Sequence, residues 1–177
     1  MSNRPAIFLD RDGTLIKEVN FLSRVEDLEI YEFTLGSLRS LKNAGFALVV
    51  TTNQSGIGRG IYTEDDMHSI HREMDKRLEG LIDGYYFCPH LPDEGCKCRK
   101  PGTGMLDSAC VDLGLTTDGS WMVGDKRIDI ETAIAANIRS AMVLTGYGQE
   151  HHKLLEQMPD VLAEDLGRAT AMILRVD

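Results

Sequence analysis

The sequence predicts a single α/β domain, a Rossmann-like three-layer fold with a mostly parallel sheet and no large cap domain. Short apolar runs alternate along the chain with segments of helical periodicity, which is the pattern of strands joined by helical crossovers. The 177 residues can bury a core of their own, and they contain no repeat and no Pro/Ser-rich linker. The domain is therefore expected to span residues 1–177.

Five short apolar runs, each bounded by loop residues, are predicted to form the buried strands of the sheet. In chain order they are Pro5–Leu9, Phe46–Val50, Tyr85–Cys88, Trp121–Val123 and Ser140–Leu144. In a parallel sheet covered on both faces, ligands bind beyond the carboxyl ends of the strands. The residues that follow each run are therefore the candidates for chemistry.

Five helices are predicted from apolar residues spaced three and four apart. The first contains Leu35–Leu41 and stops at Gly45; the second begins after Thr63, which can cap it together with Asp66. His68 and His71 are interpreted as part of the solvated face of this second helix. The other three helices are predicted around Met105–Leu113, Ile128–Asn137 and Leu166–Ile173.

Composition excludes several classes of partner. The chain has 28 acidic and 19 basic residues and a formal net charge of −9, which argues against general binding to nucleic acid or to anionic membranes. No apolar run approaches the roughly 20 residues of a membrane span, and the start is too short for a signal peptide. We therefore expect a cytoplasmic protein with no nucleic-acid or membrane partner.

Acidic residues follow two of the predicted strands. Asp10 and Asp12, two residues apart and followed by Gly13, suit a hard cation such as Mg²⁺. One of these carboxylates could also attack a phosphoryl group while the other acts as acid and base, although an Asp-Gly pair is equally typical of a solvated turn. Asp125 could complete the metal site, and Asp129 could brace it or cap the next helix.

Phosphate-binding side chains follow the second and third runs. Thr52, Asn53 and Gln54 offer hydroxyl and amide groups that can bond a phosphate without steric cost. Lys100 supplies a compact positive charge. The glycines at 56, 58 and 60 lack the spacing of a dinucleotide-binding loop.

Three cysteines and a histidine lie within eleven positions. Cys88, His90, Cys96 and Cys98 offer three thiolates and one imidazole, the donor set of a closed tetrahedral Zn²⁺ site. Such a site has no open position for catalysis, so we expect a structural Zn²⁺ that folds the loop 88–98 and directs the residues after it toward the phosphate. Free thiols are the alternative, and Cys110 is expected simply to pack in the core.

Taken together, these segments resemble the haloacid-dehalogenase-like phosphohydrolase superfamily over about residues 6–146. Asp10–Thr14, Thr52–Gln54, Lys100 and Gly124–Asp125 match its signature segments in order. Within that superfamily the chain is similar to the heptose-bisphosphate phosphatase family, to which the histidinol-phosphatase group is the nearest relative. The segments that carry this second likeness are Thr52–Gly60, Cys88–His90, Cys96–Pro101, Gly104–Leu106 and Met122–Lys126.

The resemblance implies a monomeric, Mg²⁺-dependent phosphomonoesterase that removes the 7-phosphate of a small phosphorylated sugar, a heptose 1,7-bisphosphate. Asp10 is implied to be the nucleophile, passing through an aspartyl-phosphate, and Asp12 the general acid and base. Asp10, Asp12 (through its backbone carbonyl) and Asp125 are implied to hold Mg²⁺, while Thr52 and Lys100 stabilise the phosphoryl group. The residues implied to contact substrate are Glu18, Val19, Asn20, Phe21, Asn53, Gln54, Ser55, Arg99 and Lys126.

Three alternatives stay open at this stage. The short stretch between His90 and Cys96 favours histidinol-phosphate phosphatase, whereas Ser55–Gly60 favours the heptose enzyme. A polynucleotide 3′-phosphatase carries a similar segment, but the acidic balance of the chain argues against it. A non-catalytic, zinc-stabilised binding module is the alternative from another class. Because no sizeable insertion separates the motifs, short loops should govern access, and Arg59 is placed to reach a distal phosphate.

Overall fold

The computed structural model describes residues 3–176, which fold into six β-strands, seven α-helices and two short 3₁₀ helices. The strands are β1 (Arg4–Leu9), β2 (Ala47–Asn53), β3 (Gly84–Cys88), β4 (Leu115–Gly124), β5 (Arg139–Val143) and β6 (Val161–Ala163). The α-helices are α1 (Thr34–Asn43), α2 (Ser55–Gly58), α3 (Glu64–Arg77), α4 (Gly104–Leu113), α5 (Arg127–Ala135), α6 (Gly148–His151) and α7 (Leu166–Ile173). The 3₁₀ helices are Val25–Asp27 and His152–Leu154.

All six strands are parallel and form one sheet in the order β3-β2-β1-β4-β5-β6. From β1 the chain builds outward through β2 and β3, and it then returns to place β4 on the other side of β1. The strand order thus reverses between β1 and β4. In open α/β sheets this reversal leaves a crevice at the carboxyl ends of the strands, where ligands bind.

Burial on both faces explains the continuous apolar sequence of β1. Ala6, Ile7, Phe8 and Leu9 are all fully buried, because successive side chains enter two different cores. Ile7 and Leu9 pack with residues of α1, α3 and α7, whereas Ala6 and Phe8 pack with residues of α4 and α5. The helices therefore cover both faces of the sheet, and the predicted three-layer fold is confirmed.

The predicted start of α3 is confirmed at the level of hydrogen bonds. The Asp66 N–H donates to Thr63 Oγ1 at 3.1 Å, and the Thr63 N–H donates to Asp66 Oδ2 at 2.8 Å. The interpretation of His71 as solvated is wrong, because this residue is only 5% exposed. Positions 67, 70, 71 and 74 follow the i, i+3, i+4, i+7 spacing of one helix face, so His71 is buried on the apolar side.

Two strands differ from the sequence prediction. β4 begins at Leu115 rather than Trp121, since its polar first half pairs with the start of β1 at Arg4 and Pro5. β6 is not predicted at all, because its three residues at the edge of the sheet are too few to give a periodic signal.

The connections leave the carboxyl edge of the sheet open. Within the described residues, the stretch from β1 to α1 holds only one 3₁₀ helix and the stretch from β2 to β3 holds α2 and α3, so neither carries a separate cap domain. Among the helices formed by residues 3–176, none is both long enough and apolar enough to cross a membrane.

Candidate active site

Loops from separate parts of the chain meet at the carboxyl edge of the sheet. Asp10 directly follows β1, and its backbone N–H donates to the carbonyl of Val123 in β4 at 2.9 Å. Lys100 arrives from the loop after β3 and Asp125 from the end of β4. Parallel pairing of β1, β2 and β4 therefore brings residues that are 90 or more positions apart into one site.

Three buried carboxylates form the centre of this site. Asp10, Asp125 and Asp129 each place one oxygen within 4.8 Å of the others. Burial, reinforced by the charges of Asp10 and Asp129, raises the pKa of Asp125 to about 9. Asp125 Oδ2 accepts from the Tyr147 N–H at 2.8 Å, but Asp125 Oδ1 is buried without a hydrogen-bond partner. An uncompensated oxygen among crowded carboxylates is an environment that a bound cation would relieve.

Lys100 neutralises part of this negative charge. Its Nζ donates to Asp10 Oδ1 at 2.9 Å, to Asp129 Oδ1 at 2.7 Å and to the Thr51 carbonyl at 2.9 Å. Burial disfavours the charged lysine, but Asp10 and Asp129 outweigh burial and raise the pKa of Lys100. Burial also works against ionised Asp10, yet the charges of Lys100 and Lys126 hold the pKa of Asp10 below its ordinary value. Asp10 is therefore a carboxylate at neutral pH, the form that can act as a nucleophile.

Asp129 both braces the site and caps the next helix, two roles that the sequence offered as alternatives. Its Oδ1 accepts from Lys100, and its Oδ2 accepts from the backbone N–H of Lys126 at 3.0 Å, just before α5 begins. Both oxygens of Asp129 are thus engaged within the protein, in contrast to those of Asp125.

Close backbone approach shapes the pocket around these carboxylates. A Cβ added at Gly13 (φ +85°) or at Gly146 (φ +53°) would lie 2.3 Å from Asp125 Oδ2. A Cβ added at Gly124 would lie 2.1 Å from Asp129 Oδ2. Side chains at these positions would displace the carboxylates, so the site depends on glycine there.

The donor set fits Mg²⁺, which prefers carboxylate and carbonyl oxygens. The orphaned Oδ1 of Asp125 and the ionised Asp10 would hold the ion through their side chains. The carboxylate of Asp12 is bound elsewhere, since Arg11 Nε donates to it at 2.9 Å and Gln54 Nε2 at 3.0 Å. This arrangement supports the expectation that Asp12 would contribute its backbone carbonyl, which stays a prediction.

The side chains at the end of β2 divide into two kinds. Thr52 Oγ1 accepts from Gln54 Nε2 at 2.8 Å, which leaves the threonine hydroxyl able to donate to a phosphoryl oxygen. The Asn53 amide instead pairs with the backbone of Lys100: Oδ1 accepts from the Lys100 N–H at 3.0 Å, and Nδ2 donates to the Lys100 carbonyl at 3.1 Å. Asn53 thereby fixes the main chain that carries Lys100.

A cavity opens in front of Asp12. Eight of the nine residues predicted to contact substrate line it: Glu18, Asn20, Phe21, Asn53, Gln54, Ser55, Arg99 and Lys126. Val19 is 44% exposed and is not among its lining residues. Arg59 is also exposed and outside the lining, so its expected contact with a distal phosphate is not supported.

Cationic groups give this cavity a preference for anions. Lys126 Nζ lies 3.3 Å from Glu18 Oε2 and 5.0 Å from the centroid of the Tyr147 ring. Although burial opposes its charge, the carboxylates of Asp10 and Asp125 raise the pKa of Lys126. Arg99 is held at the cavity by a bond from its NH1 to the His90 carbonyl at 3.1 Å. Lys126 and Arg99 are thus available to a second anionic group of a substrate.

The cysteine loop brings its four predicted ligands together. Cys88 Sγ lies 3.5 Å from His90 Nδ1 and 3.5 Å from Cys96 Sγ, and Cys98 Sγ lies 3.3 Å from His90 Nδ1. All four cysteines of the chain are free thiols, and burial raises the pKa of Cys88 to about 12. The donor set therefore fits Zn²⁺, which would hold the thiols as thiolates; zinc itself stays a prediction.

Four residues near the site were missed by the sequence reasoning. Arg11, Tyr62 and Tyr147 line the cavity, and His71 lies 3.2 Å from the Arg11 guanidinium. No local pattern marks Tyr62 and Tyr147, whose positions depend on contacts between distant loops, whereas Arg11 lies between Asp10 and Asp12 in a segment that the sequence already singles out. The helical spacing of His71 with its apolar neighbours was the available signal for its burial.

Comparison with known proteins identifies relatives of this chain. Residues 97–169 match the HAD-hydrolase-like family model. A D-glycero-beta-D-manno-heptose-1,7-bisphosphate 7-phosphatase of Yersinia pestis is 44% identical over 153 residues, which cover 80% of this chain and 81% of the relative. A D-glycero-D-manno-heptose-1,7-bisphosphate 7-phosphatase of Thermosynechococcus vestitus is 38% identical over 96% of this chain and 95% of its own length.

A solved structure shows the same architecture. The D,D-heptose 1,7-bisphosphate phosphatase of B. bronchiseptica, crystallised with magnesium and phosphate, superposes with a TM-score of 0.89 at 29% identity. The match covers 97% of this chain and 98% of that protein. The whole described domain, rather than one motif, is therefore shared with this enzyme.

Proposed function

Because the chain belongs to the heptose-1,7-bisphosphate 7-phosphatases, a family of haloacid-dehalogenase-like phosphohydrolases, we propose that it hydrolyses the 7-phosphate of D-glycero-D-manno-heptose 1,7-bisphosphate. The activity is that of a phosphoric monoester hydrolase. One observation carries the proposal within the site: the ionised Asp10 contacts Lys100 next to the unpaired oxygen of Asp125. A nucleophile, a phosphate-neutralising cation and a metal ligand thus share one buried pocket.

In the first half of the reaction, a carboxylate oxygen of Asp10 attacks the phosphorus of the 7-phosphate. A bond forms between Asp10 and phosphorus, the bond from phosphorus to the sugar oxygen breaks, and Asp12 gives its proton to that oxygen. Lys100 and the Thr52 hydroxyl bond the non-bridging oxygens of the phosphoryl group, where negative charge is concentrated.

In the second half, Asp12 works as a base. It takes a proton from water, whose oxygen attacks the phosphorus of the Asp10 aspartyl-phosphate. The bond between Asp10 and phosphorus breaks, and inorganic phosphate and the free carboxylate are released. Magnesium held by Asp10, Asp12 and Asp125 would supply further neutralisation of phosphoryl charge when bound.

The remaining phosphate of the substrate accounts for the second cationic group. Lys126 and Arg99 both line the cavity: Lys126 comes from the loop after β4, and Arg99 directly precedes Lys100 in the loop after β3. They would bind the distal phosphate while Asp10 reacts with the proximal one. A substrate with two phosphates therefore contacts cationic groups that a monophosphate would not engage.

The proposal is tested by phosphate release from heptose 1,7-bisphosphate, histidinol phosphate and 3′-phosphorylated DNA, each with and without Mg²⁺. We expect Mg²⁺-dependent release of one phosphate from the heptose bisphosphate and a much lower kcat/KM on the other two. Asp10→Asn should abolish turnover without changing the circular dichroism spectrum, because only the nucleophile is lost.

Each contrary result of this screen has its own meaning. Higher kcat/KM on histidinol phosphate would make the histidinol-phosphate phosphatase alternative correct. Release from the DNA end would indicate the polynucleotide 3′-phosphatase, and residual wild-type activity in Asp10→Asn would overturn the nucleophile assignment. If no phosphate were released from any of the three substrates, the remaining alternative would be the non-catalytic, zinc-stabilised binding module.

Three further properties are part of the proposal. The converging Cys₃His cluster supports a structural zinc ion. The four free thiols are compatible with a reducing cytoplasm. We also expect a monomer, since every side chain named in the reaction comes from this one chain.

A further inference from the structure

We propose that His71 and Tyr62, which do not reach the reacting atoms, are positioning residues that fix the orientation of the Asp12 carboxylate from two sides. This inference rests on the proposed function, because that function assigns Asp12 the acid and base role. The two residues act through Arg11 and Gln54, and we call these four residues the Asp12 clamp.

The first arm of the clamp runs through Arg11, which is only 1% exposed. Its Nε and NH2 donate to the two oxygens of Asp12 at 2.9 and 3.1 Å, a bidentate contact. Its NH1 lies 3.2 Å from His71 Nε2. A guanidinium has no acceptor, so Arg11 is the donor and His71 Nε2 is the acceptor.

His71 is itself held firmly. Its ring stacks on the Tyr85 ring with 4.7 Å between centroids and 24° between planes. Burial and the nearby Arg11 charge lower the pKa of His71 to about 3, so its Nε2 keeps the lone pair that Arg11 needs. Without this acceptor, the NH1 edge of the buried Arg11 guanidinium would lose its partner. The guanidinium could then rotate and weaken its bidentate contact with Asp12.

The second arm runs through Gln54, which is 3% exposed. Gln54 Nε2 donates to Asp12 Oδ2 at 3.0 Å and to Thr52 Oγ1 at 2.8 Å, while its Oε1 accepts from the Tyr62 hydroxyl. All three bonds require one orientation of the amide. Gln54, expected from the sequence to contact substrate, therefore has its amide hydrogens directed at Asp12 and Thr52.

Tyr62 is placed by close packing. Its ring lies against Gly56, where an added Cβ would be 2.1 Å from Tyr62 Cε1. The ring is 6% exposed and its hydroxyl has Gln54 as its bonding partner. By bonding the amide oxygen, the Tyr62 hydroxyl leaves the NH2 group of Gln54 directed toward Asp12.

A contribution to stability alone does not explain why the two arms of the clamp converge on one carboxylate. Burying a guanidinium and an imidazole together is costly, yet both arms end on the same carboxylate at the cavity wall. Asp12 must meet the leaving oxygen in one half of the reaction and water in the other. A fixed carboxylate orientation serves both steps, because correct geometry of an acid or base dominates its efficiency.

The experiment compares kcat and KM for heptose bisphosphate in four variants. His71→Ala removes the acceptor, and His71→Gln replaces it with an amide oxygen at a similar reach. Tyr62→Phe deletes only the hydroxyl. Met74→Ala is the matched control, because this fully buried residue lies one turn further along α3 in the core and outside the clamp.

We expect His71→Ala and Tyr62→Phe to lower kcat by about tenfold, the lower end of the effect of losing such supporting contacts, with KM within about twofold of wild type. His71→Gln should recover most of the lost kcat. Met74→Ala should lower Tm at least as much as His71→Ala while leaving kcat unchanged.

Unchanged kcat in both His71→Ala and Tyr62→Phe would overturn the clamp, as would a His71→Gln variant as slow as His71→Ala. A parallel loss of kcat in Met74→Ala would show that destabilisation alone explains the effect, which also overturns it. These failures leave wild-type turnover intact. Failure of the proposed function is distinct, because the wild-type protein itself would then release no phosphate.

Discussion

The ionised form of Asp125 is electrostatically unfavourable in the folded protein, and this bears directly on metal binding. The residue is buried beside Asp10 and Asp129, and its pKa is raised to about 9. At pH 7 the folded protein without a metal ion therefore holds a proton there that the unfolded chain does not. A bound cation would replace that proton and use the oxygen that now lacks a partner.

Magnesium should therefore stabilise the folded protein. At a concentration 100 times its Kd, a ligand adds about 2.7 kcal/mol to the free energy of unfolding, which corresponds to several degrees in Tm for a domain of this size. The increase should be larger at pH 8 than at pH 6, because Mg²⁺ must displace the proton of Asp125. Thermal melts with and without Mg²⁺ measure this effect; an Asp125→Asn variant that keeps the full increase would contradict it.

His71 should make stability depend on pH in the opposite direction to Asp125. Its pKa is lowered from 6.5 to about 3, so between these values the unfolded chain binds a proton that the folded protein excludes. Stability is therefore lost as the pH falls below about 6.5, by roughly 1.4 kcal/mol per pH unit. Urea unfolding should show wild type losing about 2 kcal/mol more than His71→Gln between pH 6.5 and pH 5; equal losses would refute this.

Single residues also show what the sequence could and could not reveal. Asp10, Asp125 and Lys100 were predictable, because each lies in a loop at a strand end and the parallel sheet determines where such loops meet. The amides of Asn53 and Gln54 were not, since their partners, Lys100 and Asp12, arrive from other loops. A side chain's chemistry is visible in the sequence, but its partner is a property of the assembled fold.

At the scale of elements, the cysteine loop and β2 are joined to the candidate active site by one side chain, that of Asn53. Asn53 ends β2 and bonds both the N–H and the carbonyl of Lys100, two residues after Cys98. The geometry of the loop that carries the Cys88, His90, Cys96 and Cys98 cluster is thus transmitted directly to the lysine that contacts Asp10. Folding of the loop and activity should be lost together.

This coupling predicts the effect of removing one of the four side chains proposed to bind zinc. Cys98→Ser should lower zinc content, reduce Tm and decrease kcat/KM by at least tenfold, because supporting contacts around a site typically contribute 10- to 100-fold. Metal analysis and steady-state kinetics provide the measurements. Cys110→Ser is the matched control, since Cys110 lies on α4 outside the cluster. Full activity in zinc-free Cys98→Ser would disprove the coupling.

Elements with strong periodicity were predicted well and weakly periodic ones were not. The start of α3 was found to the residue, because Thr63 and Asp66 form a local capping pair. The first half of β4 was missed because Thr116 to Gly119 are polar, and β6 because it is very short. Both segments are strands because they pair with a neighbouring strand, and a local sequence pattern carries no information about that pairing.

At the scale of the whole molecule, a negatively charged protein places two cationic side chains, Lys126 and Arg99, at its cavity. The formal net charge is −9, whereas Lys100, Lys126 and Arg99 converge at the site. The cationic charge is local and partly buried, so salt should screen it only weakly. This distribution suits a small anionic substrate better than a long polyanion.

Salt dependence tests this distribution. We expect kcat/KM for heptose bisphosphate to change by no more than about twofold between 50 and 200 mM NaCl, because few exposed charges take part. An enzyme that tracks nucleic-acid phosphates would lose roughly 10³- to 10⁵-fold in affinity over the same range. A steep salt dependence would show that exposed charges outside the cavity govern binding.

The close contact between the loops of Gly13 and Gly146 limits how this protein can evolve. A Cβ on Gly146 would fall 2.6 Å from the Gly13 Cα, and one on either glycine would strike Asp125. Every missense codon reached by a single base change at these two positions introduces a side chain. A saturation library screened for phosphate release should therefore recover only glycine at both, even where neighbouring loop positions accept many amino acids.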